Sequence, residues 1–404
     1  MKQNIAPPQT FQISDSSAGL KAWISIDSLI NNRCCGGLRM LPDISDIEIK
    51  ELAKIMTLKF GFLGIPNGGA KAGICCNKDA SQQEKLRLLK AFAVKLRSLL
   101  GDCQYNPHQD MNTNKQEIEA LHTMLGMRIP RRRVVTEKSG WYTALGVISC
   151  VKTGSECQGL DLSSSTAAIE GFGKVGSLVA QELQQLGVRV VAVSTIQGAL
   201  YSSKGLDIPK LVKMLPEFGS EVINHYSDAQ RINKEALLEL SIDILSPCAR
   251  GYSFRMDNVS RIKAKLICPA ANTPATPEAE EVLFKQGTIS VPDFVANSGG
   301  VLGPVMELAG INPSEVADFI NTHFSRQVSE IIKQAKENKI PPRKIAEEIA
   351  ISRFLLMKQA SESKSLNNKL FGFAVGLYRK GLIPRVFPRM LSGKYFQKRI
   401  EGSF

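Results

Sequence analysis

The sequence predicts an α/β protein with two domains: an α+β N-terminal domain, then a domain built on a parallel β-sheet. The chain has 404 residues, and domains hold about 150 residues each, so two or three domains fit. Short strand-like segments and amphipathic helices mix over residues 10–155, and strand and helix patterns alternate from about Gly159. That alternation is typical of a parallel sheet with helices on both faces.

The composition is that of a folded protein, with 43% hydrophobic and 22% charged residues. No apolar run approaches the roughly 20 residues of a bilayer-spanning helix. The polar segment Met1–Ser14 lacks the apolar core of a secretory signal. The nine cysteines form no C-x-x-C pair, and the four histidines add no metal-ligand spacing. We therefore expect reduced thiols, no metal and a cytoplasmic location.

The net charge of +13 is concentrated near the C-terminus and in a short arginine-rich cluster. That arginine cluster consists of Arg128, Arg131, Arg132, Arg133 and Lys138. Basic patches attract nucleic acid, anionic membranes or anionic substrates. Because no nucleic-acid-binding motif accompanies the charge, we expect a solvated basic surface. Binding of nucleic acid or a membrane surface through the C-terminus is the alternative.

The N-terminal elements follow from local periodicity. Alternating or β-branched residues predict two strands, Phe11–Ser14 and Lys21–Ile26. Apolar residues at helical spacing predict three helices, Asp46–Lys59, Gln82–Leu100 and Lys115–Leu125. Ser45, with Glu48 three residues later, predicts a capping box at the start of the first helix.

The second half predicts strands and helices in alternation. The strands are Thr166–Ile169, Val188–Val193, Ile242–Leu245, Leu266–Cys268 and Ile289–Pro292. The helices are Ser177–Leu186, Ile208–Met214, Pro277–Gln286 and two long stretches, 313–338 and 342–360. The last forty residues mix apolar and basic residues with Gly and Pro and receive no assignment.

A glycine fingerprint lies between the first of these strands and its helix. It reads Gly171-Phe172-Gly173-Lys174-Val175-Gly176, a G-x-G-x-x-G pattern. The first glycine permits a tight turn, the second lets backbone amides approach a pyrophosphate, and the third brings the helix close to its strand. In this β-α-β context the pattern predicts a Rossmann domain that binds a dinucleotide.

The end of the second strand bears on the choice of cofactor. An acid there usually holds the ribose 2′-hydroxyl of NAD, but this chain has Ser194-Thr195. A neutral Thr195 does not repel the 2′-phosphate of NADP, and no obvious arginine attracts it. NAD and NADP therefore both stay open.

A second group of candidate functional residues lies in a segment that contains two lysines. Met56-Thr57-Leu58-Lys59 is followed by Pro66-Asn67-Gly68-Gly69-Ala70-Lys71, whose glycines permit close ligand approach. These motifs resemble the glutamate/leucine/phenylalanine/valine dehydrogenase family. Further motifs occur in the family's order over about residues 10–360: Gly36-Gly37-Leu38-Arg39, Asp110-Met111-Asn112-Thr113, Thr143-Ala144-Leu145-Gly146-Val147, the glycine fingerprint, Ala271-Asn272-Thr273-Pro274 and Pro292-Asp293-Phe294-Val295-Ala296-Asn297-Ser298-Gly299-Gly300.

The resemblance implies oxidative deamination of an L-amino acid to a 2-oxo acid and ammonia, with hydride transfer to NAD or NADP. Lys59 matches the lysine that holds the substrate α-carboxylate, and Lys71 matches the catalytic lysine. Asp110 matches the carboxylate that shuttles protons. Two ammonium groups in one desolvated pocket would lower one lysine pKa towards neutrality, as a general base requires.

The same resemblance assigns further binding residues. Gly36 and Gly37 fall in the substrate-binding motif. Thr143, Ala271, Asn272 and Asn297 match residues around the nicotinamide carboxamide, and Asn297 also matches a substrate contact.

The predicted substrate is an amino acid with an apolar or aromatic side chain. Glutamate dehydrogenases carry a lysine and a serine for the side-chain carboxylate, and these positions are Cys35 and Pro304 here. Burying a carboxylate without a partner would cost several kcal/mol. Two alternatives stay open: a glutamate dehydrogenase that binds this carboxylate elsewhere, for example through the arginine cluster, and a catalytically silent nucleotide-binding homologue that acts through its basic tail. Ala72 and the Pro269-Ala270 pair also depart from the family's usual residues.

We expect the active site in the cleft between the two domains, and a homo-oligomer assembled through the first. The predicted division is a substrate domain over 1–155, a Rossmann domain over 156–310, a helical segment over 311–365 that returns to the first domain, and a basic extension over 366–404.

Overall fold

The computed structural model describes residues 8–127, 131–132, 138–362 and 374–402. Backbone contacts divide the chain into two compact units. The first unit contains residues 1–133 and 350–387, and the second contains 134–349 and 388–403. No helix among the described residues is long and apolar enough to span a bilayer.

The first unit is built on a five-stranded mixed sheet in the order β1-β2-β4-β3-β5. Its strands are β1 Gln9–Asp15, β2 Leu20–Ile26, β3 Arg33–Leu41, β4 Gly68–Cys75 and β5 Gln104–Gln109. Strand β3 runs parallel to β4 and β5, whereas β2 is antiparallel to β1 and β4. The helices are α1 Asp46–Leu63, α2 Gln82–Leu100 and α3 Lys115–Met124.

The two faces of this sheet are different. One face forms the apolar core, where strand residues such as Leu38 and Ala72 pack with Phe92 and Leu96 of α2. Helix α1 packs close to β4 because β4 is rich in glycine. A Cβ on Gly73 would lie 2.7 Å from Ile49 of α1. The glycines of β4 therefore let α1 approach the sheet closely.

The start of α1 differs in part from its predicted capping box. The Ser45 hydroxyl accepts a hydrogen bond from the Glu48 N–H at 3.2 Å, as predicted. The Glu48 carboxylate, however, accepts a hydrogen bond from Arg39 Nη1 at 2.5 Å. A charged partner in β3 gives Glu48 a stronger hydrogen bond than a neutral backbone amide would.

The second unit contains a seven-stranded sheet in the order β12-β11-β10-β6-β7-β8-β9. The strands are β6 Thr166–Glu170, β7 Arg189–Thr195, β8 Gly198–Tyr201, β9 Gln230–Ile232, β10 Ile244–Pro247, β11 Leu266–Ile267 and β12 Ile289–Ser290. Five neighbouring strands of this sheet, β12, β11, β10, β6 and β7, are parallel, as predicted. Strands β8 and β9 add two antiparallel strands at one edge.

The helices of the second unit connect these strands and follow them. They are α4 Ser139–Gln158, α5 Gly176–Gln185, α6 Ile208–Phe218, α7 Val222–His225, α8 Lys234–Leu238, α9 Pro277–Lys285, α10 Asp293–Ala296, α11 Gly299–Leu308, α12 Pro313–Phe319 and α13 Ser325–Asn338. A π-helical turn, Ile320–Phe324, separates α12 from α13 within the predicted stretch 313–338. Helix α4 belongs to this unit, although the sequence analysis placed its residues up to 155 in the first domain. The Ser149 hydroxyl of α4 donates to the Ile320 carbonyl.

The chain returns to the first unit at residue 350, later than the expected start of the return segment at residue 311. Residues 311–349 belong to the second unit, and the division falls within α14 Pro342–Glu362. From residue 350 onwards α14 packs on the first unit: Arg353 Nη1 donates to the Phe62 carbonyl at 2.7 Å, and Met357 joins an apolar cluster with Ile30. The contacts of α14 thus change along one continuous helix.

The last forty residues, left unassigned from the sequence, include a helix, α15, over Val386–Ile400. Phe396 and Ile400 are buried, and Arg389 forms an ion pair with Glu315 at 3.1 Å. The basic residues of this segment therefore belong to a helix that packs on the second unit.

Candidate active site

Lys71 and Asp110 meet on the face of the first sheet opposite its apolar core. Lys71 lies in β4 with 3% of its surface exposed, and Asp110 follows β5. Lys71 Nζ donates a hydrogen bond to Asp110 Oδ2 in a buried ion pair. The Met111 N–H donates to Asp110 Oδ1 at 2.6 Å, and the Asp110 N–H donates to the Thr113 hydroxyl. The sequence predicted both partners as catalytic, and the structure brings them together.

Lys71 and Asp110 each shift the pKa of the other. Burial lowers the pKa of the Lys71 ammonium, and the nearby Arg39 adds to this effect while Asp110 opposes it. Burial alone would raise the pKa of Asp110, but Lys71 and Arg39 outweigh it and hold that pKa well below its usual range. Asp110 is therefore ionised at neutral pH, and Lys71 gives up its proton more readily than a solvated lysine.

Arg39 and Glu48 complete this network, although the sequence predicted only a helix-capping role for Glu48 and no site role for Arg39. Arg39 is 6% exposed, and its Nε donates to Asp110 Oδ1 at 2.9 Å. Its Nη1 forms the 2.5 Å ion pair with Glu48. The available signal was the position of Arg39, two residues after Gly37 and thus on the same face of β3.

The glycines of β3 allow the network to pack this closely. A Cβ on Gly37 would lie 2.8 Å from Asp110 Oδ2 and 3.0 Å from Lys71 Nζ. A Cβ on Gly36 would collide with the Ala70 carbonyl, and the Tyr105 hydroxyl donates to the Gly36 carbonyl at 3.1 Å. Side chains at either position would displace the charged pair or its strand.

Lys59 and Cys35, both predicted to bind substrate, are also buried in the first unit. Lys59 lies in α1 with 6% of its surface exposed, two residues after Thr57, which packs against Gly69 of β4. Thr57 fixes this part of α1, since its hydroxyl donates to Asp27 at 2.5 Å. Burial raises the pKa of the Cys35 thiol to about 12, so the thiol stays protonated and neutral.

The arginine cluster has partners of its own. Arg132 donates through Nη1 to the Ile383 carbonyl, and its guanidinium lies 4.5 Å from the centre of the Tyr378 ring. Arg128 and Arg133 lie outside the described residues. The guanidinium of Arg132 is thus engaged with the segment that precedes α15.

In the second unit, each fingerprint glycine has its own steric environment. Gly171 has φ 95°, and a Cβ there would lie 2.7 Å from the Ala249 amide nitrogen. A Cβ on Gly176 would collide with the Gly171 carbonyl, whereas one on Gly173 would meet nothing within 4 Å. Gly171 and Gly176 are therefore required by the turn itself, and Gly173 leaves space for a ligand. Phe172 is buried, and Lys174 and Val175 lead directly into α5.

The end of β7 supports this turn. The Gly171 N–H donates to the Ser194 hydroxyl at 3.1 Å, and the Phe172 N–H donates to the Ser194 carbonyl at 2.6 Å. The Thr195 hydroxyl donates to the Ser220 carbonyl at 2.7 Å. Ser194 thus holds the fingerprint turn, and Thr195 is anchored to the segment before α7.

Asn297 presents an unsatisfied acceptor in the second unit. Its Nδ2 donates to the Ala270 and Ala271 carbonyls, both at 3.1 Å, and to Asn272 Oδ1 at 2.9 Å. Its Oδ1 is buried and has no hydrogen-bond partner among the described residues. A buried acceptor left in this way favours a ligand that donates a hydrogen bond, such as a carboxamide.

The segment that carries Asn297 is held by an arginine of α14. Arg343 Nη2 donates to Asp293 Oδ1 at 2.7 Å, and Arg343 also forms an ion pair with Glu280. Asp293 Oδ2 accepts a hydrogen bond from the Thr273 N–H at 2.8 Å. These contacts connect the loop before α9 to α10.

Thr143 and Pro304 occupy packed positions in the same unit. The Thr143 hydroxyl donates to the Ser139 carbonyl at 2.9 Å, and a Cβ on Gly300 would collide with this hydroxyl. Pro304 is buried inside α11. Nearby, the Tyr142 hydroxyl donates to Glu307 at 2.5 Å.

These features fit a nicotinamide nucleotide. Open space at Gly173, the N-terminus of α5 and the unsatisfied Asn297 Oδ1 match a pyrophosphate and a carboxamide. No group of three potential metal ligands occurs in the described part of the chain. All nine cysteines are unpaired.

Two family models match the chain. The glutamate/leucine/phenylalanine/valine dehydrogenase model matches residues 138–361, and the Glu/Leu/Phe/Val dehydrogenase dimerisation domain matches residues 8–126. A glutamate dehydrogenase of Thermotoga maritima is 36% identical over 279 residues, which cover 66% of this chain and 67% of that protein.

Solved structures show the same fold. The hetero-hexameric glutamate dehydrogenase of Thermus thermophilus, in a Leu-bound form, aligns with a TM-score of 0.74 at 24% identity, covering 88% of this chain and 90% of that chain. The L-tryptophan dehydrogenase of Nostoc punctiforme aligns with a TM-score of 0.60 at 24% identity, covering 87% and 96%.

Proposed function

Because the chain belongs to the glutamate/leucine/phenylalanine/valine dehydrogenase family, we propose that it interconverts an L-amino acid bearing an uncharged, apolar or aromatic side chain with its 2-oxo acid and ammonia. Dehydrogenases of this family use NAD or NADP. The observation that carries the proposal is the buried ion pair between Lys71 and Asp110. A silent homologue would have no need to keep two opposite charges desolvated and paired at this position.

The proton chemistry follows from this pair. A bound nicotinamide nucleotide would supply the acceptor for the hydride of the substrate α-carbon. Lys59 pairs with the α-carboxylate, and Asp110 accepts a proton from the amino nitrogen. Lys71, with its lowered pKa, removes a proton from the water that adds to the substrate imine. Asp110 then returns its proton to the nitrogen. The C–N bond breaks as the newly added hydroxyl loses its proton to water and becomes the 2-oxo group, and the nitrogen leaves as ammonia.

The second unit supplies nucleotide binding under this proposal. Backbone amides at Gly173 and the N-terminus of α5 would hold the pyrophosphate, and Asn297 Oδ1 would accept a hydrogen bond from the carboxamide. Thr195 is neutral, so its side chain excludes neither NAD nor NADP. This division leaves the acid–base chemistry to the first unit.

Glutamate is the second candidate substrate, since a Thermotoga maritima relative is a glutamate dehydrogenase. The environment of Cys35 favours an uncharged side chain instead. Its thiol is buried and neutral, and a neutral thiol cannot pair with a substrate carboxylate.

We also propose that the chain forms a homo-oligomer through its first unit, whose residues match a dimerisation domain. Ile351, Leu355 and Leu356 of α14 are 47%, 58% and 47% exposed, and their spacing places them along one side of the helix. Burial against another copy would remove this apolar surface from water. Light scattering measures the assembly mass. A reducing compartment such as the cytoplasm suits the nine unpaired thiols.

A panel of substrates tests the function. Formation of reduced nicotinamide is followed with NAD and with NADP on leucine, valine, phenylalanine, tryptophan and glutamate. We expect turnover on the uncharged amino acids and little on glutamate. Preferred turnover of glutamate would contradict the predicted side-chain class but not the reaction. Absence of turnover on every amino acid and 2-oxo acid, with NADH binding intact, would contradict the reaction itself.

A further inference from the structure

Helix α15 exposes a group of large apolar side chains to water. The exposed residues are Val386, Phe387, Met390 and Leu391, with exposed fractions of 62%, 62%, 76% and 73%. Their spacing places them along one side of the helix, which we call the apolar stripe. Phe396 and Ile400 lie on the opposite side and are buried. The apolar stripe is therefore distinct from the side on which α15 packs, and contiguous apolar surface of this kind marks an interaction site.

Contacts at both ends of α15 fix which side of the helix faces solvent. Near its start, Arg389 forms an ion pair with Glu315 of α12 at 3.1 Å. Just beyond its end, the Glu401 carboxylate lies 3.2 Å from His323 Nδ1 and 3.7 Å from Arg326 Nη1. Together with the burial of Phe396 and Ile400, these contacts hold the apolar stripe outwards.

The surface next to the apolar stripe is basic. Lys394 and Lys398 are exposed and continue the same side of the helix, one and two turns after Met390. Seven basic residues occur over positions 374–402: Arg379, Lys380, Arg385, Arg389, Lys394, Lys398 and Arg399. The only acidic residue at these positions is Glu401, which already pairs with Arg326. This surface therefore attracts an anionic partner.

A second copy of the chain does not suit this surface. Parallel packing of two α15 helices would bring Lys394 and Lys398 close to the same residues of the second copy. Antiparallel packing would bring Lys394 close to Arg385 of the second copy. Like charges placed together in this way oppose association. The match to the dimerisation domain, over residues 8–126, does not include α15.

An anionic lipid surface suits both parts of this surface. A helix that lies in a membrane interface buries apolar side chains at the boundary between headgroups and acyl chains, and its basic side chains attract anionic headgroups. A lysine next to the apolar side chains can keep its methylene groups among the lipids while its ammonium reaches the headgroups. Fluid lipid also accepts protruding side chains without a cavity of matching shape.

We propose that α15 docks the protein on an anionic phospholipid membrane. The apolar stripe enters the interface, and Lys394 and Lys398 bind the headgroups. The sequence alone favoured a solvated basic surface, but the exposed apolar side chains beside the charges favour lipid instead. This inference goes beyond the proposed reaction and does not depend on it, since it concerns where the protein lies rather than what it converts.

Sedimentation with vesicles tests the proposal on the full chain. Vesicles of phosphatidylcholine are compared with vesicles in which about a third of the lipid is phosphatidylglycerol, whose headgroup is anionic. The wild type should bind the anionic vesicles at low salt and the neutral vesicles only weakly. High salt should release most of the bound protein, because screening weakens the attraction between charges.

Substitutions separate the apolar contribution from the basic one. Leu391→Ser removes an inserted side chain and should weaken binding to anionic vesicles about tenfold. Lys394→Gln with Lys398→Gln removes two charges and should weaken it about twentyfold. The matched control is Lys90→Gln with Val94→Ser, on the exposed side of α2, and should bind as the wild type does. All these side chains are exposed, so each variant should keep the wild-type Tm.

Several results would overturn the proposal. One is a wild type that does not bind anionic vesicles, or binds both kinds of vesicle equally well. Another is weaker binding in Lys394→Gln with Lys398→Gln but not in Leu391→Ser, which would indicate a purely electrostatic surface such as nucleic acid uses. A third is absence of vesicle binding together with a lower assembly mass of Leu391→Ser in light scattering, which would assign the apolar stripe to a contact between copies.

A replacement variant guards against loss of folding. If Leu391→Ser lowers Tm, Met390→Ser takes its place, because Met390 is 76% exposed on the same side of α15. Vesicle binding is measured without substrate or nucleotide. The proposal can therefore fail while the dehydrogenase reaction stands, and the reaction can fail while the proposal stands.

Discussion

The candidate sites of the two units are built from different kinds of chemical group. In the first unit, Lys71, Asp110, Arg39 and Glu48 form a chain of buried charges. In the second, the candidate nucleotide segment consists of glycines, backbone amides and neutral side chains such as Ser194 and Asn297. Buried charges shift each other's pKa values, whereas neutral backbone groups offer shape and hydrogen bonds.

This difference says what a substitution in each unit should change. Variants of the charged network should alter rates and pH dependence without altering nucleotide affinity. Variants of the glycine segment should alter nucleotide affinity or folding of the second unit, and leave the acid–base profile as it was.

The largest effect is expected from Asp110→Asn. The amide keeps the shape of the side chain but cannot accept the substrate proton, and it leaves the Lys71 ammonium without its anion. We expect kcat to fall about a thousandfold. NADH affinity, followed by fluorescence, should stay at the wild-type value. The control is Asp79→Asn, an exposed residue between β4 and α2. Asp110→Asn turnover close to the wild-type level would remove Asp110 from the mechanism.

Alanine substitutions at two glycines of the fingerprint should differ in their effects, one on stability and the other on NADH affinity. Gly176→Ala places a Cβ against the Gly171 carbonyl, so it should destabilise the second unit by about 1–3 kcal/mol. Gly173→Ala meets open space, so the protein should keep its Tm but bind NADH about tenfold more weakly, since the methyl group crowds the pyrophosphate. Thermal denaturation and NADH titration separate the two. Unchanged NADH affinity in Gly173→Ala would show that the pyrophosphate binds elsewhere.

Arg39→Gln should shift the pH dependence of kcat/KM. Removing the guanidinium takes a positive charge from beside Lys71, which favours the protonated lysine and raises its pKa. Because the base must be deprotonated, the rising limb of kcat/KM should move to higher pH by about one unit. The substrate's own ammonium titrates identically in both enzymes and does not contribute to the difference.

Arg39→Lys is the matched control for this shift. It keeps the charge but loses the two-pronged contact to Asp110 and Glu48, so its rising limb should stay in place while kcat falls. A rising limb that does not move in Arg39→Gln would assign Arg39 a purely structural role.

The smallest effect concerns the choice of cofactor. Thr195→Asp places a carboxylate at the end of β7, where it should repel the 2′-phosphate of NADP and accept the 2′-hydroxyl of NAD. We expect the ratio of kcat/KM for NADP over NAD to fall several-fold. Thr195→Asn, of similar size and neutral, should leave this ratio close to that of the wild type. An unchanged ratio in Thr195→Asp would mean that the ribose lies away from this strand.

Much of the fold follows from local patterns. The α2 boundaries, Gln82–Leu100, match the periodicity of apolar residues because one face of α2 packs on the core. The parallel strands β6, β7, β10, β11 and β12 appeared as short apolar runs because both faces of this sheet are covered.

The features that sequence reasoning missed depend on contacts distant in sequence. Glu48 matches a local capping pattern, yet its carboxylate pairs with Arg39 of β3. Helix α14 shows one periodic pattern although its two ends belong to different units.

The most direct test of the account is Lys71→Ala, with turnover and NADH binding measured on the same preparation. The account predicts that turnover of the best amino acid falls about a thousandfold, while NADH affinity and Tm stay near their wild-type values. Turnover that persists near the wild-type rate would contradict the central claim that Lys71 and Asp110 perform the acid–base chemistry.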